Sequence, residues 1–269
     1  MKIHTTRSLR ATKIQKGSSP LQMLTCYDFQ TAQLLDETDI DLLLVGDSLG
    51  NVILGYETTV EVSLEEMIVF SSAVKRGAKN KFVVADLPFG TYSTFESGIE
   101  NATKLFQRSK AEAIKLEGAS EHQLKLIKRL TETGVPVMGH IGLTPQSVHE
   151  LGGYYVHGKD EKSQEKLLQE AIALEKAGAF CVVLECVKEE LSKKISESIS
   201  IPTIGIGSGD FTDGQVLVTN DLLHMGKQDP PKFCQPVANF YELKKTAIEK
   251  YIEKNKNINP YNDGKSLNH

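Results

Sequence analysis

Apolar residues along this chain fall into short uninterrupted runs. Between them lie longer stretches in which apolar positions return every three or four residues. Short apolar runs closed by turn residues read as strands buried on both faces, and the intervening pattern reads as amphipathic helix. The runs predict strands at residues 22–27, 42–47, 82–86, 113–117, 136–142, 181–186 and 201–207, with a weaker eighth at 216–223. Helices are predicted at 29–37, from Ser63 onward, and at 94–110, 120–133, 161–177, 189–198 and 237–254. Ser63 ahead of Glu65 and Glu66 is a capping signal, and Thr144-Pro145 reads as a cap followed by a first helical residue. Strand and helix alternating in this way give right-handed βαβ units and a parallel sheet.

Eight strands without a midpoint linker or a short internal repeat fit a closed barrel better than an open sheet. The fold class expected is α/β, a single (β/α)8 TIM barrel over residues 1–254, for which roughly 250 residues are typical. Residues 255–269 are polar and rich in Asn and Lys, and are expected to form a disordered tail.

Four of the predicted strands end on an acid: Asp47, Asp86, Glu117 and Glu185. Active sites of parallel barrels sit at that end of the strands. Alternation along a strand puts Lys115 on the same face as Glu117, one layer deeper. A carboxylate there is costly unless a cation or solvent meets it, and neighbouring carboxylates repel one another. Oxygen-only ligands favour Mg²⁺, which keeps open positions for water or substrate oxygens. The bland explanation, structural ion pairs with Lys115 and helix-borne bases, serves for any one acid but must hold at four equivalent strand ends together. His140, at the end of the fifth strand, reads either as a donor to substrate or as a core histidine satisfied by the backbone.

Other motifs are weaker. The GIGSG segment at 205–209 follows a strand, but it comes late and without an early βαβ context, so a tight turn at the barrel rim is favoured over a dinucleotide loop. His149, His157 and His224 lack zinc spacing, no serine sits in a GxSxG elbow, and Cys186 has no activating base nearby in sequence.

Composition removes several function classes. The chain has 269 residues, 40% hydrophobic and 25% charged, with a formal net charge of −4. That balance gives no reason to expect nucleic acid or an anionic membrane as partner. No apolar stretch approaches the ~20 residues needed to span a bilayer. Cys26, Cys181, Cys186 and Cys234 form no CxxC pair and read as reduced intracellular thiols. The first 27 residues carry Lys2, Arg7, Arg10, Lys13 and Lys16 without an acid, which leaves an import leader as the alternative to the cytoplasmic location expected.

The segments that carry these features closely resemble the ketopantoate hydroxymethyltransferase family. They are MLTCYD from Met23, LLLVGDSLG from Leu42, ADLPFGTY from Ala85, AIKLEG from Ala113, VPVMGHIGLTPQS from Val135, GGYYVHG from Gly152, VVLECV from Val182, and IPTIGIGSG from Ile201 with DGQVLV from Asp213. The resemblance implies a (β/α)8 barrel that transfers the one-carbon unit of 5,10-methylenetetrahydrofolate to C3 of 3-methyl-2-oxobutanoate, giving ketopantoate for pantothenate and coenzyme A synthesis. It implies Asp47, Asp86 and Glu117 as the Mg²⁺ site, Glu117 through water, with Glu185 as the catalytic base. Asp47, Ser48, Asp86 and Lys115 match positions that hold the keto acid, His140 matches a polar residue nearby, and a homo-oligomer, a decamer, is implied. Ala119, Lys188 and Cys26 depart from common family residues without touching a proposed ligand. Two other readings stand beside it: another Mg²⁺-dependent enolate enzyme of the phosphoenolpyruvate mutase and isocitrate lyase type, though no KKCGH-type loop occurs, and a catalytically dead barrel used as a binding scaffold.

Overall fold

The computed structural model describes residues 4–13, 19–153 and 155–256. Eight parallel strands close into a barrel in sequence order. They are β1 (Leu21–Thr25), β2 (Leu42–Val45), β3 (Phe82–Asp86), β4 (Ala113–Glu117), β5 (Val137–Gly142), β6 (Cys181–Glu185), β7 (Thr203–Ile206) and β8 (Gly214–Leu217). Closure is made by β8 against β1, with Met23 opposite Val216. The helices are α1 (Thr6–Arg10), α2 (Phe29–Asp36), α3 (Leu64–Gly77), α4 (Phe95–Ser109), α5 (Glu121–Glu132), α6 (Val148–Leu151), α7 (Glu161–Lys176), α8 (Glu189–Ser198), α9 (Thr219–Leu222) and α10 (Phe240–Lys256). The side chains of Asp28, Ser63, Thr94, Ser120 and Asp160 accept from the first-turn amides of α2, α3, α4, α5 and α7. Each such cap is worth about 1 kcal/mol.

Alternation along the strands divides the core into two layers. Leu42 and Leu44, Phe82 and Val84, Met138, Cys181 and Val183 form one cluster inside the barrel. Their neighbours Leu43 and Val45, Val83 and Ala85, Ile114 and Leu116, Val182 and Leu184 pack outward against Leu105, Leu126, Leu130 and Leu174 of the helices. The inward parity continues to Asp86, Lys115, Glu117, His140 and Glu185, so polar side chains replace apolar ones inside the barrel toward the C-terminal ends of the strands.

The opposite end is closed by α1. Leu9 joins the inner cluster, Arg10 donates to the Gly178 carbonyl at 3.0 Å, and Lys13 pairs with Asp213 at 2.9 Å. Two of the basic residues near the N-terminus therefore serve the barrel's own packing.

The eighth strand starts earlier than the apolar pattern predicts. Gly214 lies so close to Leu21 that a Cβ there would come within 2.6 Å of the Leu21 carbonyl oxygen. A strand that opens on a glycine and is only half-buried gives little apolar signal. The described residues form two compact units, one with the barrel up to Thr219 and one from Asn220 onward. In the second unit α10 buries none of its side chains, and Val237, Phe240 and Tyr241 donate to Leu222, Leu223 and His224. The expected tail begins inside α10, and residues 257–269 lie outside the described residues. Among the described residues no helix is long and apolar enough to cross a membrane.

Candidate active site

All seven side chains singled out in the sequence line one cavity of about 160 Å³ at the C-terminal ends of the strands. Leu44, Val183, Ile206 and Val216 form its apolar wall. A wider groove of about 720 Å³ runs along α5, lined by Lys125, Lys128, Arg129 and other solvated charges. The inner cavity, where buried charges converge, is the chemically competent one.

Asp86, Lys115 and Glu117 come from neighbouring strands in register, Asp86 opposite Lys115 and Glu117 opposite His140. Lys115 Nζ lies 3.0 Å from Asp86 Oδ2, with both side chains buried. The same Asp86 oxygen accepts the main-chain N–H of Asp47 at 3.2 Å. Asp47 stands two residues beyond the end of β2, so this turn contact, rather than strand alternation, brings it into the site. Ser48 Oγ is 2.8 Å from the Tyr27 hydroxyl. His140 bridges the remaining acids: Nδ1 is 3.5 Å from Glu117 Oε1, and Nε2 is 3.2 Å from Glu185 Oε2, close but off the hydrogen-bond direction.

Glu185 is held by its backbone. Its carbonyl accepts from Leu143, and the next amide, Cys186, donates to Ile206. Ser208 Oγ accepts the Val187 N–H at 3.0 Å and donates to the Leu184 carbonyl at 2.7 Å, so the GIGSG turn ties down the end of β6. Gly142 has φ +97°, and a Cβ there would stand 2.3 Å from the Glu185 carbonyl oxygen, so only glycine fits at this crossing.

The charges are out of balance. Burial first, then the charges of Asp86 and Glu117, push the Asp47 carboxyl well above its ordinary range. Burial likewise raises Asp86, although Lys115 opposes it. Burial alone would lower Lys115, but the acids around it outweigh that and raise it. For His140 burial and the Lys115 charge act downward, yet the contacts with Glu117 and Glu185 carry it up to about 9. Four carboxyls thus face one ammonium, Lys115, and the His140 imidazole, whose Nδ1 lies 3.4 Å from Lys115 Nζ. Asp86 Oδ1 is buried without a hydrogen-bond partner. Hard oxygen donors, an orphaned carboxylate oxygen and more acids than ammonium groups fit a divalent cation such as Mg²⁺. Among the described residues no three His, Cys, Asp or Glu side chains already converge as a ligand set. The acids are engaged instead by Lys115, His140 and Gln146.

Gln146 is the residue that sequence reasoning missed. Its main-chain N–H donates to Glu117 Oε2 at 3.1 Å and its side chain to Asp47 Oδ2 at 2.7 Å. It sits in a 3₁₀ turn, Pro145–Ser147, opened by the Thr144-Pro145 pair. That pair signalled a helix start but not which side chain would turn inward.

The ketopantoate hydroxymethyltransferase family model matches residues 4–259. The chain is 52% identical over 240 residues to the 3-methyl-2-oxobutanoate hydroxymethyltransferase of Thermotoga maritima, covering 89% of this chain and 88% of that one. It is 50% identical over 238 residues to the same-named protein of Leptospira interrogans, covering 88% and 90%. Among solved structures it is similar to 2,3-dimethylmalate lyase, a member of the phosphoenolpyruvate mutase/isocitrate lyase superfamily, with TM-score 0.59 at 14% identity over 99% of this chain and 90% of that one. It is also similar to a phosphonopyruvate hydrolase in complex with oxalate and Mg²⁺, with TM-score 0.61 at 11% identity, covering 94% and 87%. At those identities the structural likeness speaks for the barrel alone, whereas the sequence likeness speaks for the family.

Proposed function

This chain belongs to the ketopantoate hydroxymethyltransferase family and is a hydroxymethyltransferase of pantothenate biosynthesis; on that premise we propose how its cavity works and what it binds. The one-carbon donor is 5,10-methylenetetrahydrofolate. Asp47, Asp86 and Glu117 would hold a Mg²⁺ ion. Glu185 is the base, and Ser48, Lys115 and His140 serve the keto acid and its surroundings. The observation that carries this reading is the gathering of four acids around Lys115 and His140 in one buried cavity.

The chain's own groups divide the work. Lys115 offers its charge to the carboxylate of 3-methyl-2-oxobutanoate, and Ser48, oriented by Tyr27, offers a hydroxyl. Leu44, Val183, Ile206 and Val216 receive the isopropyl group. Glu185 removes the proton from C3, a carbon activated by the adjacent ketone. Water adds to the methylene carbon of the donor and the C–N bond breaks, so that tetrahydrofolate leaves with its nitrogen protonated and the one-carbon unit is freed as formaldehyde. The electron pair on C3 then attacks that carbon, the C–C bond forms, and the carbonyl pair moves to oxygen, which takes a proton to become the new hydroxyl. His140 stands beside the base, its Nε2 3.2 Å from a Glu185 carboxylate oxygen. A bound Mg²⁺ would polarise the ketone oxygen and offset the negative charge that develops there.

Purified protein supplied with 3-methyl-2-oxobutanoate, methylenetetrahydrofolate and Mg²⁺ is expected to yield ketopantoate by mass spectrometry, with no product in EDTA. Product that persists in EDTA would refute the metal assignment, and product formed without the folate would refute the donor. The same reading carries homo-oligomeric assembly as a decamer and residence in the cytoplasm. Four free thiols suit a reducing compartment. Light scattering checks the assembly, and a monomeric mass would remove it.

A further inference from the structure

We infer that Gln146 is a positioning residue for the cation site, fixing the carboxylates of Asp47 and Glu117 relative to one another. This rests on the metal reading given above. Gln146 is buried and reaches three separate segments. Its main chain donates to Glu117 at the end of β4, and its Nε2 donates to Asp47 beyond β2 and, at 3.1 Å, to the Leu87 carbonyl beyond β3. Its Oε1 accepts from the Tyr92 hydroxyl at 2.5 Å.

The amide has only one workable orientation. The Leu87 carbonyl cannot donate, and a carboxylate ordinarily accepts, so both NH₂ protons are committed and the oxygen is left for a donor. Tyr92 is that donor, its hydroxyl 2.5 Å from Gln146 Oε1. Tyr92 therefore fixes the amide, and the amide fixes Asp47 Oδ2. The other Asp47 oxygen is then the one presented to a cation, in the way that outer hydrogen bonds orient the ligands of metal sites generally. The bond to Glu117 comes from the main chain and survives side-chain substitution, so a change at 146 releases Asp47 alone.

The test is binding of Mn²⁺ by itself, followed by electron paramagnetic resonance, in wild type, Gln146→Leu and Tyr92→Phe. Gln146→Leu is expected to weaken Mn²⁺ binding about 10–100-fold, the range typical for loss of an outer-shell partner, with a smaller loss in Tyr92→Phe. The unfolding midpoint of Tyr92→Phe in EDTA is expected to stay near that of wild type, and turnover in both variants is expected to recover as Mg²⁺ is raised. A purely structural role would instead lower the midpoint and leave turnover depressed at every Mg²⁺ concentration. Where Gln146→Leu fails to fold, Tyr92→Phe decides. Wild-type affinity in the variants would overturn the role of Gln146 and leave the metal site standing. Wild-type protein that takes up no Mn²⁺ would overturn both.

Discussion

Glu185→Gln is expected to bind 3-methyl-2-oxobutanoate and Mg²⁺ as the wild type does, while kcat falls by about 10²–10⁴-fold, the range lost when a positioned general base is removed. The split follows from where Glu185 stands. It is the acid of β6, separated from β4 by β5, and it makes no ion pair with Lys115 such as Asp86 makes. Its neighbour is His140, at 3.2 Å. A glutamine of the same shape keeps an oxygen that can face the His140 ring, and the backbone restraints from Leu143 and Ile206 are untouched. What disappears is the capacity to accept the C3 proton. The check is deuterium exchange at C3 of the bound keto acid without folate, read by proton NMR, beside a calorimetric titration of keto acid. Exchange at the wild-type rate would remove Glu185 from the role of base. Loss of binding together with exchange would show instead that Glu185 belongs to the binding set.

The parts of this site that could be read in the sequence are those governed by strand alternation. Lys115 and Glu117 share a face because they are two apart on one strand, and the structure places both inside the barrel. Asp86, His140 and Glu185 follow the same parity as the apolar residues beneath them, Val84, Met138 and Val183. Asp47 was reached by a different route. The apolar run points to a strand continuing to residue 47, but β2 ends at Val45, and the acid enters on a turn whose amide is bound by Asp86. That contact joins residues 39 positions apart and leaves no local trace. Gln146 and Tyr92 were illegible for the same reason, since each lies outside a strand and owes its direction to partners on other segments. The GIGSG run was legible as a turn, with Gly207 at φ +60° and Gly209 at φ +74°, but its hold on β6 through Ser208 was not. Periodicity reports which face a residue occupies; it carries no information about bonds that cross from loop to loop.

Lys115→Met is expected to cost stability as well as function, and to do so with a characteristic pH dependence. Lys115 is the one buried ammonium among Asp47, Asp86 and Glu117, and its Nζ is 3.0 Å from an Asp86 carboxylate that is itself buried. Removing one partner of a buried pair leaves the other charge uncompensated, a loss of about 3–5 kcal/mol. Methionine fills a similar volume, so packing loss adds little. Sign follows from proton linkage. With the cation gone, carboxyls already raised by burial rise further, and the folded state then holds protons that the unfolded state has released. Stability falls with rising pH wherever the folded state binds more protons, so the deficit grows from the carboxylate range near pH 4 up to the raised folded-state value. Urea unfolding in EDTA should therefore show Lys115→Met closer to wild type at pH 5 than at pH 8. The substitution also takes away the charge offered to the keto-acid carboxylate, so keto-acid binding is expected to weaken even when Mg²⁺ is saturating. A variant as stable as wild type at pH 8 would mean that the three acids are not held as a charged cluster around Lys115. The charge imbalance on which the cation site rests would go with it.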